Sequence, residues 1–221
     1  YDPSALKDAG DAAAQRVLAA ALAARAPHDA VLSEEAQDVG TRSEADTVWI
    51  IDPLDGTREF SERADGVWRD DWAVHVAQWQ RGHGLVAGAV ALPARDVVFS
   101  TGSAPRHPEP VSPLDRPLRI AVSRSRPPAL LATIAQSLSV EFVPMGSAGV
   151  KAMSVVAGDT DAYLHDGGQY EWDSAAPVAV AHTAGLHTSR VDGSALVYNR
   201  ADPWLPDLLI CPHLIAGTLL R

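Results

Sequence analysis

The chain has a single cysteine, Cys211, so it cannot close an internal disulfide, and nothing in it calls for an oxidising compartment. No apolar run approaches the roughly 20 residues that span a bilayer as a helix. The opening Tyr1-Asp2-Pro3 has neither the basic nor the apolar region of a secretory signal. Together these absences give the expectation of a soluble, cytoplasmic protein with no membrane partner. Positive charge is also short. The 18 Lys and Arg against 28 Asp and Glu leave a net charge of −10 with histidine neutral. That argues against a nucleic-acid partner, which calls for a basic face. Eight histidines are scattered without an H-E-x-x-H pattern, and no G-x-x-x-x-G-K-[ST] phosphate loop occurs, the segment 146–151 being too short for one.

What is present suffices for a packed core: 221 residues, 47% of them hydrophobic and 21% charged, are ordinary for a globular protein. The alanine-rich stretch 11–24, with Val17, Leu18 and Leu22 at helical spacing, predicts a helix opening near Asp11. Short apolar runs at 30–33 and 48–51 read as buried strands that stop at acidic residues, the second at Asp52-Pro53. Segments 85–92 and 96–101 flank Pro93-Ala94-Arg95 as a hairpin, after a weakly alternating stretch at 73–79. The proline-rich stretch 102–117 reads as a linker, dividing the chain into an N-terminal α+β lobe (1–109) and a C-terminal α/β lobe (110–221). Beyond it come a strand at 118–122, a helix with Pro127-Pro128 in its first turn, and a strand at 140–143. A helix at 148–157, a strand at 161–165 and helices at 174–185 and 205–220 complete the expectation. Alternating strands and helices predict a layered α/β (α+β) protein.

Three acidic groups stand out against this frame: Glu34-Glu35 at the end of the first strand, Asp52 and Asp55 in Asp52-Pro53-Leu54-Asp55-Gly56-Thr57, and Asp173 near a helix start. Pro53 fixes one φ and Gly56 permits unusual ones, so the backbone there is tightly held. Carboxylates brought together repel and are costly to desolvate, and a divalent cation removes both problems. Mg²⁺ suits such oxygen donors. The amides of Gly56 and Thr57 offer a nest for an anion. Singly, each group has a plainer explanation: an Asx turn, a solvated strand end, an N-cap. Their joint occurrence, each behind an apolar element, favours a metal-dependent phosphatase. A haloacid-dehalogenase-type enzyme needs Asp-x-Asp with the first aspartate as covalent nucleophile, whereas Asp52 and Asp55 stand as Asp-x-x-Asp. A catalytically silent nucleotide-binding regulator is the alternative of another class.

Ser33-Glu34-Glu35, the run from Trp49 to Thr57, and Trp172-Asp173-Ser174-Ala175-Ala176 resemble the signatures of the inositol monophosphatase superfamily, in order and spacing. Arg58-Glu59-Phe60, Ser123-Arg124-Ser125-Arg126 and the segment from Gly146 to Lys151 are similar to its CysQ-type 3′(2′),5′-bisphosphate nucleotidases, closest to the actinobacterial group. The resemblance implies an αβαβα sandwich, two lobes with the metal site between them, and Mg²⁺ dependence with lithium sensitivity. It implies two Mg²⁺ ions, one held by Glu34, Asp52 and the Leu54 carbonyl, a second by Asp52, Asp55 and Asp173, with a weaker third near Glu34. It implies Glu34, Thr57 and Asp11 as the groups that activate water, and Gly56 and Thr57 as phosphate holders. Arg58, Ser123, Arg124, Arg126, Ser147, Lys151 and His165 are the implied substrate contacts. The implied substrate is a phosphorylated nucleotide, adenosine 3′,5′-bisphosphate or its sulfated relative. Inositol-1-phosphate and fructose-1,6-bisphosphate stay open as alternatives, as does a homodimer. Arg126 stands where the branch usually carries histidine, His165 where many members carry arginine, and Asp8 where a threonine is usual.

Overall fold

The computed structural model describes residues 2–38, 40–103, 105, 107, 116–125 and 130–220. The chain opens with α1 (Pro3–Arg25), β1 (Ala30–Ser33), β2 (Thr47–Asp55) and the single turn α2 (Thr57–Phe60). A small hairpin, β3 (Arg63–Ala64) with β4 (Val67–Trp68), precedes β5 (Ala73–Gln80), β6 (Gly84–Leu92) and β7 (Val97–Ser100). The second half holds β8 (Leu118–Ser123), α3 (Leu130–Ser137), β9 (Val140–Met145), α4 (Ala148–Ala157) and β10 (Ala162–Tyr170). It ends with α5 (Glu171–Thr183), β11 (His187–Ser189), β12 (Trp204–Cys211) and α6 (His213–Leu219).

The strands form two five-stranded sheets, ordered β1-β2-β5-β6-β7 and β11-β12-β10-β8-β9. α4 and α5 lie between the sheets, α1 packs against β2 and α2, and α3 and α6 contribute to a core on the outer face of the second sheet. The result is five layers, αβαβα. Central strands of the second sheet are buried on both faces, and their alternation shows it. In β12, Leu208 and Ile210 join the core shared with the first sheet, while Leu209 and Cys211 join the core under α3 and α6. The first core runs unbroken from Val48 and Ile50 to Tyr163 and Leu208. α5 approaches the first sheet closely because it offers Ala176 and Ala179. A Cβ on Gly88 of β6 would lie 2.8 Å from the Ala179 Cβ.

Several expectations need correction. α1 opens at an Asp2 N-cap with Pro3 in its first turn, well before Asp11. β2 does not stop at Asp52-Pro53. It runs to Asp55 through a register shift between Asp52 and Asp55, and the turn falls at Gly56. The segment expected as a helix at 205–220 is β12 followed by α6, because a continuous apolar run is ambiguous between a buried helix and a strand buried on both faces. The Pro127-Pro128 helix start and the 109/110 lobe boundary lie outside the described residues.

Candidate active site

The bulged end of β2 is the floor of the site. Asp52 is 1% exposed, and its Oδ1 accepts the Leu54 amide at 3.0 Å. Gly56 follows in the left-handed region at φ 90°. A Cβ there would sit 3.1 Å from the Ser147 Cβ, so the turn needs glycine for both backbone and space. Asp55 reaches across to the start of α4. Its Oδ1 accepts Ala148 N at 3.1 Å, and its Oδ2 accepts Gly149 N at 2.6 Å and the Ser147 hydroxyl. Ser147 is also the N-cap of α4, accepting Val150 N. Asp173 sits in the first turn of α5, where its Oδ2 accepts Tyr170 N at 2.6 Å. Pro177 removes the amide that would bond the Asp173 carbonyl, so this turn depends on such side-chain caps.

Oxygens of Asp52, Asp55 and Asp173 all lie within 4.8 Å of one another. Glu34, at the turn after β1, adds its charge to theirs. The electrostatic consequences separate the four. Burial, then repulsion from Asp55 and Glu34, drives the Asp52 carboxyl well above the usual range. Burial and Asp173 push Glu34 up to about 7, and burial and Asp55 push Asp173 up to about 6. Burial pushes Asp55 up too, but His75, the Gly149 amide and Lys151 outweigh it and hold the carboxyl down at about 2. Asp52 Oδ2 is buried with no hydrogen-bond partner among the described residues. A crowded carboxylate set with one orphaned oxygen is what a divalent cation satisfies, so the donors fit Mg²⁺.

A cavity of about 540 Å³ opens over this floor. Of the residues expected at the site, Glu34, Asp55, Gly56, Thr57, Arg58, Ser123, Ser147, Lys151, His165 and Asp173 line it. Asp52 and Leu54 lie beneath. Asp11 sits on α1 behind Thr57 and hydrogen-bonds with it. Burial and Glu35 raise the Asp11 carboxyl to about 6. The Leu54 carbonyl, 3.1 Å from the Thr57 hydroxyl, is a second acceptor for its single proton. Lys151 is buried. It donates to the Gly146 and Ser147 carbonyls, and burial lowers its amine to about 8. His165 contacts the Gly168 carbonyl at 2.8 Å. Arg58 pairs with Glu62 at 2.6 Å. Arg124 is off the cavity lining, paired with Glu59 and, at 3.0 Å, with Asp71. Arg126 lies outside the described residues.

Other lining residues were not anticipated. A bulge in β10 at Gly167 and Gly168, both at positive φ, turns Gln169 into the wall. Gln169 is 7% exposed, and neither atom of its carboxamide has a partner among the described residues. Beside it Tyr170 stacks on Trp172, with rings 4.7 Å apart and 13° from parallel, and Trp204 completes an aromatic border. His75, buried beneath Asp55, was likewise missed. The His at an inward position of an alternating strand was the available signal.

A family model, that of the inositol monophosphatase family, matches residues 4–207. The chain belongs to that family. It is similar, at 53% identity over 99% of its length and 82% of the relative's, to a 3′-phosphoadenosine 5′-phosphate phosphatase of Mycobacterium bovis. It is 31% identical to a 3′(2′),5′-bisphosphate nucleotidase CysQ of Shigella flexneri, covering 89% of this chain and 81% of that one. Among solved structures, a staphylococcal inositol monophosphatase in an LiCl-soaked inhibitory complex superposes with a TM-score of 0.80, at 20% identity, over 96% of this chain and 78% of that one. That likeness establishes the αβαβα fold.

Proposed function

We propose that this chain is a cytoplasmic, Mg²⁺-dependent phosphatase that hydrolyses the 3′-phosphate of adenosine 3′,5′-bisphosphate to leave AMP. What carries it is the cluster of Asp52, Asp55 and Asp173 at the foot of a cavity with an aromatic border. The mycobacterial and CysQ relatives support the nucleotide as substrate. Two lobes meet at the site, Asp52 and Asp55 coming from the first and Asp173 from the second.

Glu34, Asp52, Asp55, Asp173 and the Leu54 carbonyl would hold two Mg²⁺ ions, with a weaker third near Glu34. When bound, the ions neutralise the phosphoryl oxygens and lower the pKa of water. The protein's residues position and move protons. Glu34, on the cavity wall beside the cluster, would accept the proton of the attacking water. Thr57 orients that water, its hydroxyl held between Asp11 and the Leu54 carbonyl. The Gly56 and Thr57 amides receive the phosphate. Lys151, Arg58, Ser123 and His165 face the remaining anionic and ribose groups. Such catalysis is positioning and charge stabilisation.

Base recognition falls to the aromatic border and Gln169. Flat rings stack with a purine, and a carboxamide offers the paired donor and acceptor that match an adenine edge. A phosphate-release panel with adenosine 3′,5′-bisphosphate, inositol-1-phosphate and fructose-1,6-bisphosphate tests the assignment. The nucleotide is expected to have the highest kcat/KM, and millimolar lithium to inhibit. A preference for inositol-1-phosphate overturns the substrate. Gln169→Leu is expected to lower kcat/KM for the nucleotide about tenfold and to leave inositol-1-phosphate hydrolysis unchanged. An equal loss on both would remove Gln169 from base recognition.

A further inference from the structure

His75 belongs to no motif, yet it touches both halves of the carboxylate cluster. It lies on β5 with Ala73 and Ala77 on the inward face, all three fully buried. Its Nδ1 is 3.1 Å from the Trp172 carbonyl, an acceptor, so Nδ1 carries the proton and donates. Its Nε2 is 3.2 Å from Asp55 Oδ2, off the line of a good hydrogen bond and without another partner among the described residues. Trp172 immediately precedes Asp173 in the first turn of α5. One rigid ring therefore spans from the Asp55 carboxylate to the backbone that carries Asp173.

The surroundings are shaped to hold that ring. A Cβ on Gly149 would collide with His75 Nε2 and lie 3.0 Å from the Ala73 Cβ, so glycine there makes room. The Gly149 amide and the Ser147 hydroxyl converge on the same Asp55 Oδ2 that His75 faces. Three groups thus crowd Oδ2, while Oδ1 receives only the Ala148 amide. A carboxylate oxygen has about two lone-pair sites, so Oδ1 keeps one for an outside ligand. We propose that His75 is a positioning residue: it fixes the Asp55 rotamer and its separation from Asp173, and thereby sets the affinity for the divalent cation without touching substrate. Outer partners of ligand side chains act in this way in metal sites. The inference rests on the metal-ligand reading above.

Two conservative variants divide the contacts. The amide nitrogen of His75→Asn falls near the Nδ1 position and keeps the Trp172 contact. That of His75→Gln falls near Nε2 and keeps the Asp55 contact. His75→Leu keeps neither. Calorimetric titration with MgCl₂, without substrate, is the measurement, with kcat at saturating Mg²⁺ recorded in parallel. The expected result is a Kd for Mg²⁺ raised about 10- to 100-fold in His75→Leu and by less in the two amide variants, with kcat at saturating Mg²⁺ unchanged. A purely structural role would lower the melting temperature without moving Kd. An unchanged Kd in both His75→Asn and His75→Gln overturns the proposal, whether or not His75→Leu folds. Failure of the underlying metal reading shows separately: the wild-type protein would then take up no Mg²⁺, or Asp55→Asn would bind it as wild type does.

Discussion

Asp55→Asn is expected to lower kcat/KM for adenosine 3′,5′-bisphosphate by about 100-fold or more, since loss of even an outer partner of a metal ligand costs 10- to 100-fold. The same change is expected to destabilise the metal-free fold by about 3 kcal/mol. The second expectation is not obvious, because removing one charge from a crowded acidic cluster also relieves repulsion from Asp52 and Asp173. The direction of the Asp55 shift decides between the two effects. Its carboxyl is held at about 2 despite burial, so contacts with the ionised form outweigh both desolvation and repulsion. An asparagine would take from His75 and Lys151 the largest of the negative charges that face them. It would also turn an N–H toward either the Ala148 amide, at the Oδ1 position, or the Gly149 amide, at the Oδ2 position. Denaturant unfolding and kinetics on the same preparation check both parts. Activity near wild type at ordinary magnesium would contradict the role given to Asp55.

The carboxylates that the structure gathers stand in motifs short enough to be seen in a linear sequence. Asp52 and Asp55 flank Pro53 and precede Gly56, and Asp173 follows Trp172 in a small-residue helix start. What escaped detection depends on distance along the chain or on burial of both faces of an element. Arg124, expected as a substrate contact, has ion-pair partners that the sequence does not reveal. Those partners, Glu59 and Asp71, lie 65 and 53 residues away. β12 was expected as a helix because two cores, one on each face, make every residue from Leu208 to Cys211 apolar and erase the alternation that identifies a strand. Gln169 reaches the cavity only through the bulge at Gly167 and Gly168, and a Gly-Gly pair says nothing about which side chain it redirects. His75 was within reach: one polar residue on the otherwise apolar inward face of a strand asks for a buried partner.

Removing divalent cations is expected to abolish turnover and to make stability fall as pH rises. Glu34 at about 7, Asp173 at about 6 and Asp52 well above its usual value are all raised in the fold. Between about pH 4 and pH 7 the native state then binds more protons than the unfolded chain, so unfolding free energy decreases with pH across that window. The stabilisation is complete below the unfolded carboxylate values and is lost as pH passes the folded ones. Asp55 works in the opposite sense, but its depressed value places its effect below about pH 4, outside the window. Mg²⁺ competes with those protons for the same oxygens and binds only the folded cluster. Its stabilising effect therefore grows as the protons leave. Melting curves of chelator-treated protein at about pH 5.5 and pH 7.5, each with and without MgCl₂, separate these contributions. The expected pattern is a lower melting temperature at the higher pH without metal, and a larger Mg²⁺-induced rise there. A metal-free melting temperature that climbs with pH, or equal Mg²⁺ shifts at both, would mean that the crowded carboxylates are not where cation and proton compete.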